Sequence, residues 1–112
     1  MATALLAPLA RAEPPEPADP DPWLAPDKAL HFGASAAIAG GGYAFGALLF
    51  EDYAPRVGLG IGLALTAGVT KEALDAAGLG RPSFRDLAWD VLGTAVGAGI
   101  ALAIDAAIRE PR

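Results

Sequence analysis

The chain has 112 residues, enough for one domain, and 54% of them are hydrophobic, with much of that alanine beside 14 glycines, so a water-soluble core built from it would bury little area. The net charge is −5 with no basic patch among aromatics, which argues against a nucleic-acid surface. The absence of cysteine excludes disulfides, thiolate metal sites, a cysteine nucleophile and a cysteine lipid anchor.

Residues 1–12, MATALLAPLARA, end in the small-x-small pattern that signal peptidase accepts. The apolar stretch is short and no positive residue precedes it, so the expectation is a signal-peptide-like segment whose start lies upstream. Residues 13–26 hold six prolines in fourteen positions. Proline fixes φ and removes amide donors, so this stretch reads as a disordered, extended, solvated linker. Trp23 near its end is placed to anchor at a membrane interface.

Three helices follow. The first is predicted over 27–50, with Asp27 as N-cap after Pro26. Residues 29–50 contain no Asp, Glu, Lys or Arg and would extend about 33 Å, enough to cross a hydrocarbon core. Pro55 opens the second helix, 55–77, which Gly78 and Gly80 terminate. Its uncharged part, 57–70, spans only if Lys71 and Glu72 sit at the interface or face the bundle interior. The third helix is predicted over 84–108 behind a capping box, with Ser83 as N-cap and Asp86 at N3. Alternating β-branched runs are missing, so the fold class is all-α: a small Gly/Ala-rich three-helix bundle, transmembrane or membrane-associated, over residues 27–110. A mean hydropathy of +0.39 agrees with lipid covering the apolar surface.

Each helix carries a small-xxx-small pair: Gly42 and Gly46, Gly58 and Gly62, Gly93 and Gly97. On the first helix His31, Ser35, Ala39, Gly42 and Gly46 share one stripe. On the second, Gly58, Ile61, Leu65, Gly68, Glu72 and Asp75 do so, and on the third Asp86, Asp90, Gly93 and Gly97. The ionisable residues continue the small-residue stripes, so they are expected to point at helix–helix contacts.

Short loops make three spans alternate in direction. One end of the bundle then gathers Asp27, Lys28, His31 and Ser35; Lys71, Glu72 and Asp75; and Arg81, Ser83, Arg85, Asp86, Trp89 and Asp90. The other end holds Glu51, Asp52, Arg56 and Asp105. An exported N-terminus puts the cluster on the extracytoplasmic face. The positive-inside count opposes this, with Arg56, Arg109 and Arg112 inside and Lys28, Lys71, Arg81 and Arg85 outside.

Three motif stretches carry a resemblance: Asp21-Pro22-Trp23 with Asp27-Lys28-Ala29-Leu30-His31-Phe32 and Ser35; Gly68-Val69-Thr70-Lys71-Glu72 with Asp75; and Ser83-Phe84-Arg85-Asp86-Leu87-Ala88-Trp89-Asp90 with Gly93 and Gly97. In motif order and spacing over 21–100 the chain resembles the YfiM-like family of small bacterial envelope proteins, described as lipoproteins of unknown function. More distantly it is similar to VanZ-like membrane proteins, which share an Asp-Lys-x-x-His start, an acidic second motif and a later Asp. Lipoprotein members carry a cysteine at the processing site, which this chain lacks. The resemblance implies a bacterial cell-envelope location and a polar cluster, and it supplies no reaction.

His31, the single histidine, reads as an acid/base residue, a metal ligand or an interhelical hydrogen-bonding group. Glu72, Asp75 and Asp90 with His31 would make an oxygen-rich divalent-metal site, but no compact metal motif exists, and neither metal nor cofactor is expected. Lys28 and Lys71 are expected to pair with the acids, and Asp86 to cap its helix. Ser35 lacks a nucleophile motif, so its hydroxyl is expected to bond its own helix. Arg81 and Arg85 are anion-binding candidates, and Asp105 is expected at the far interface. Three functions fit. The first is a structural or accessory envelope protein that binds a partner or a lipid headgroup. The second is an enzyme acting on an envelope lipid or its phosphate, with catalytic candidates His31, Glu72 and Asp90. The third is a small oligomeric pore on the glycine faces. Expected partners are membrane lipid and an envelope protein or a second copy of the chain.

Overall fold

The structure, a computed structural model, describes residues 19–109. The signal-peptide-like segment, the first part of the proline-rich linker and the last three residues lie outside them. Three long helices follow one another: α1 (Pro26–Leu49), α2 (Tyr53–Leu74) and α3 (Phe84–Arg109). The described residues contain no strand. At about 1.5 Å per residue the helices measure roughly 33–39 Å, and all three are long and apolar enough to cross a membrane.

The helix ends differ from expectation in ways the backbone explains. Pro26, not Asp27, opens α1: it sits at N1 behind the extended Ala25, and no side chain caps the turn. Proline suits N1 because the N–H it lacks has no intrahelical acceptor there. α2 starts two residues before Pro55, which still falls among the first four unpaired amides. At its far end α2 widens into a π-turn, Asp75–Leu79, where Gly78 takes φ 108°, a left-handed conformation that favours glycine. α2 and this turn form one 27-residue candidate span, so Lys71 and Glu72 fall near its end.

Packing is inverted relative to a water-soluble bundle. The buried apolar centre consists of three alanines, Ala39, Ala64 and Ala98, with Ile61 beside them. The large apolar side chains point outward: Leu48 is 81% exposed, and Leu30, Phe45, Val91, Ile100 and Ile104 are exposed as well. Small residues inside and branched ones outside are what lipid demands, because bilayer helices associate through close backbone approach rather than hydrophobic exclusion.

α1 packs along both other helices. A Cβ on Gly93 would strike the Phe32 carbonyl, and one on Gly97 the Ala36 carbonyl. Toward α2, a Cβ on Gly42 would lie 2.9 Å from the Gly60 Cα, and one on Gly46 3.0 Å from the Arg56 Cα. The expected pair on α2 is corrected: nothing lies within 4 Å of a Cβ at Gly58 or Gly62. The contact face instead runs Gly60, Ala64, Gly68. Two residues are roughly 200° around a helix, so these are nearly opposite faces. The expected stripe stepped alternately by three and four, whereas the real one steps by four; they coincide at Gly68 and diverge toward the start of α2.

The end of the linker does not run free, although Asp19, Pro20, Trp23 and Leu24 stay exposed. Residues 19–25 fold back across the polar end as a strap onto the start of α3. Trp89 Nε1 donates to the Trp23 carbonyl at 2.7 Å. Trp23 stacks edge-on against Phe84, and the Arg85 guanidinium lies 5.4 Å from its ring centre. Arg85 also pairs with Asp19 and donates to the Asp21 carbonyl.

Candidate functional site

The polar end is built around Lys28 and His31 of α1, which reach toward α3. Lys28 is 1% exposed, and its Nζ touches three carboxylates: Asp27 at 2.7 Å, Asp86 at 2.7 Å, and Asp21 of the strap. Such burial of an ammonium is tolerated because the counter-charges come with it. One turn further on, His31 stands between two acids of α3. Its Nε2 is 3.1 Å from Asp86 Oδ2 and its Nδ1 is 2.9 Å from Asp90 Oδ1. Each ring nitrogen thus faces a carboxylate of α3.

Ser35 donates to the same Asp90 Oδ1 at 3.1 Å, so its hydroxyl bonds α3 and not its own helix as expected. Its acceptor is the Asp90 carboxylate and not the imidazole. Thr94, also buried, donates to the Asp90 carbonyl at 2.7 Å and stiffens that turn.

The capping box at α3 is half made. Ser83 Oγ accepts the Asp86 amide at 3.0 Å, as an N-cap does, while donating to Asp21. The reciprocal half is missing: the Asp86 carboxylate turns to Lys28 and His31, and the Ser83 amide donates instead to Glu72 Oε2 at 2.6 Å. Asp86 is thus a charge partner rather than a cap. A stronger donor took its carboxylate, and Glu72 of the neighbouring helix replaced it at the amide.

Glu72 therefore joins the cluster through Ser83 rather than through His31. Lys71, half exposed, pairs with Asp75 at 2.7 Å and makes no ion pair with the buried acids. The expected Glu72–Asp75–Asp90–His31 oxygen set does not form. A different carboxylate group, Asp21, Asp27 and Asp86, comes close enough to share a cation, and the Lys28 ammonium bonds all three. Arg85 is taken up by the strap, while Arg81 is exposed and makes no ion pair among the described residues. Trp89 faces Phe32 and the strap.

Among the groups outside the spans, two have shifted acidities. The Asp19 carboxyl is held below its ordinary value by the Asp21 amide and then by Arg85. The Asp21 carboxyl is lowered by the Lys28 ammonium and then by the Ser83 hydroxyl.

The sequence gathers Glu51, Asp52, Arg56 and Asp105 at the opposite end, and the structure adds what it did not foretell, a second polar knot centred on Asp105. Asp105 Oδ2 accepts from the Tyr43 hydroxyl at 2.5 Å and from Arg56 Nη1 at 2.8 Å, tying all three helices together. Arg109 lies 3.7 Å from the same oxygen and donates to the Glu51 carbonyl. Asp105 thus sits at an interhelical junction. The available signal was an intramembrane acid on α3 at the same level as Arg56 on α2.

The fold and the two knots define a class: a three-helix membrane bundle with an ion-paired network at each end. No protein-family model matches the chain, and no curated protein and no solved structure matches it either.

Proposed function

We propose that the chain is a structural or accessory protein of a bacterial cell envelope, whose ionic end faces the extracytoplasmic side and engages a partner protein or a lipid headgroup. The signal-peptide-like segment and the YfiM-like resemblance support the location. The observation that carries the role is the state of His31, with both ring nitrogens occupied by carboxylates of the next helix but one. A proton-transferring imidazole needs one nitrogen directed at substrate. This one bridges α1 to α3, and Lys28 does the same one turn earlier.

The test compares His31→Ala with His31→Lys. A side chain that only bridges two carboxylates is replaceable by another donor of similar reach, so His31→Lys keeps the protein folded and preserves any envelope-stress phenotype, whereas His31→Ala lowers the amount of folded protein in the membrane. Wild-type levels of folded His31→Ala protein with loss of the phenotype would overturn the reading in favour of the enzyme.

A further inference from the structure

Three buried carboxylate oxygens of the network accept no hydrogen bond, Glu72 Oε1, Asp86 Oδ1 and Asp90 Oδ2; the Lys28 ammonium lies 2.7 Å from the second, and the third borders a groove. Asp90 is 3% exposed, its Oδ1 takes both His31 and Ser35, and its Oδ2 is buried and receives nothing. A carboxylate oxygen in an apolar surrounding without a donor is costly, and native sites that keep one use it. The oxygen lies against α2 at Gly68, where a Cβ would come within 2.9 Å of it. α2 thus packs bare backbone against the carboxylate, and no side chain fits between them.

Gly68 and Asp90 both line an open groove between α1 and α2, about 360 Å³ in volume. His31, Ser35, Gly68 and Asp90 form its polar part. Leu30, Ala34, Ile38 and Ala67 line the rest, and all four are exposed on the lipid-facing surface. The groove therefore opens sideways into the hydrocarbon layer, and its occupant arrives with an apolar chain. The volume lies at the small end of ligand pockets, which run about 300–1,000 Å³, and suits one chain rather than two. Lys71 stands at the rim, three residues and about 4.5 Å above Gly68 along α2. It is half exposed, and its ammonium has protons to spare beyond its bond to Asp75.

Read from the surface inward, the groove offers a cation, then a hydroxyl acceptor one turn deeper, then an apolar channel. A lysophospholipid carries matching groups in that order: a phosphate, the free glycerol hydroxyl beneath it, and a single acyl chain. We infer that the α1–α2 groove is a lysophospholipid site, in which Asp90 Oδ2 accepts the glycerol hydroxyl and Lys71 holds the phosphate. This rests on the headgroup-binding reading above and names its ligand.

The probe is 1-oleoyl lysophosphatidylglycerol, titrated onto the full chain in dodecyl maltoside micelles and read by native mass spectrometry. Its 2-deoxy analogue lacks the hydroxyl and is expected to bind roughly 10-fold or more weakly, the usual range for a bond to a charged group. Asp90→Asn also disturbs His31 and Ser35, so the deciding variant is Ala67→Phe, which fills the groove from an exposed position and touches no ion pair. It is expected to stay folded and lose binding. Equal binding of the deoxy analogue, undiminished binding by Ala67→Phe, or no saturable binding at all would overturn the site. If two-chain phosphatidylglycerol in nanodiscs still binds at the polar end, only the groove is lost. If neither lipid binds, the headgroup reading goes with it.

Discussion

Replacing Lys28 by methionine tests the polar end where it is most deeply committed. The stem volume is kept and only the ammonium is removed. Of its three partners, the Asp27 side chain is 53% exposed and Asp21 27%, so water solvates both, and losing an exposed pair costs about 0–1 kcal/mol. Asp86 is 10% exposed and has no such recourse. Breaking a buried pair costs about 3–5 kcal/mol, because an uncompensated charge stays behind. His31 Nε2 remains 3.1 Å from the other Asp86 oxygen, which places the expected loss near the lower end, about 3 kcal/mol. The assay is reversible unfolding in mixed micelles, followed by far-ultraviolet circular dichroism. Adding Asp86→Asn to Lys28→Met removes the stranded charge and should recover stability to within about 1–2 kcal/mol of the parent. A loss below about 1 kcal/mol for Lys28→Met alone, or no recovery in the double variant, would refute the buried network.

Two further outcomes follow from the same geometry. On α2, Gly60→Ala should destabilise the bundle by several-fold more than any propensity effect, since its Cβ meets the Ala39 carbonyl, whereas Gly62→Ala faces open space and should stabilise by up to about 1 kcal/mol through helix propensity; equal effects in the unfolding assay would place the contact face elsewhere. The strap should detach in acid. Asp19 and Asp21 titrate below their ordinary value of 3.8 when folded, so their contribution is complete above that value and is lost as pH falls through the lower folded-state pKa. Tryptophan fluorescence, which reports the Trp23–Trp89 contact, should therefore change with a midpoint under 3.8, and a midpoint above it would contradict the assigned pairs.

The helix count, the gathering of charge and the small-residue faces of α1 and α3 were legible because they follow from chain order. Up-down-up threading brings Lys28, His31, Asp86 and Asp90 to one end whatever their rotamers, and Gly93 and Gly97 continue the stripe of Asp86 and Asp90. The face of α2 was not legible. A lipid-facing side and a helix-facing side are both apolar in a membrane helix, so Gly58 and Gly62 looked as suitable as Gly60, Ala64 and Gly68. The strap was hidden for another reason. Six prolines forbid a helix but say nothing of whether Asp19, Asp21 and Trp23 find partners. The pattern around Ser83 predicts a capping role for Asp86; the competing pull of Lys28 and His31 depends on helix α1 being close by, which no local pattern encodes.

The central claim is that three membrane-crossing helices hold the Lys28–His31 network at one bilayer surface and the Asp105 knot at the other. Single cysteines at the exposed positions Asp27, Arg81 and Asp52, each challenged in intact cells with a thiol reagent that does not cross membranes, measure this directly. Cysteines at 27 and 81 should react alike, and the one at 52 should react only after the membrane is opened. Reaction of all three from the same side would contradict a transmembrane bundle.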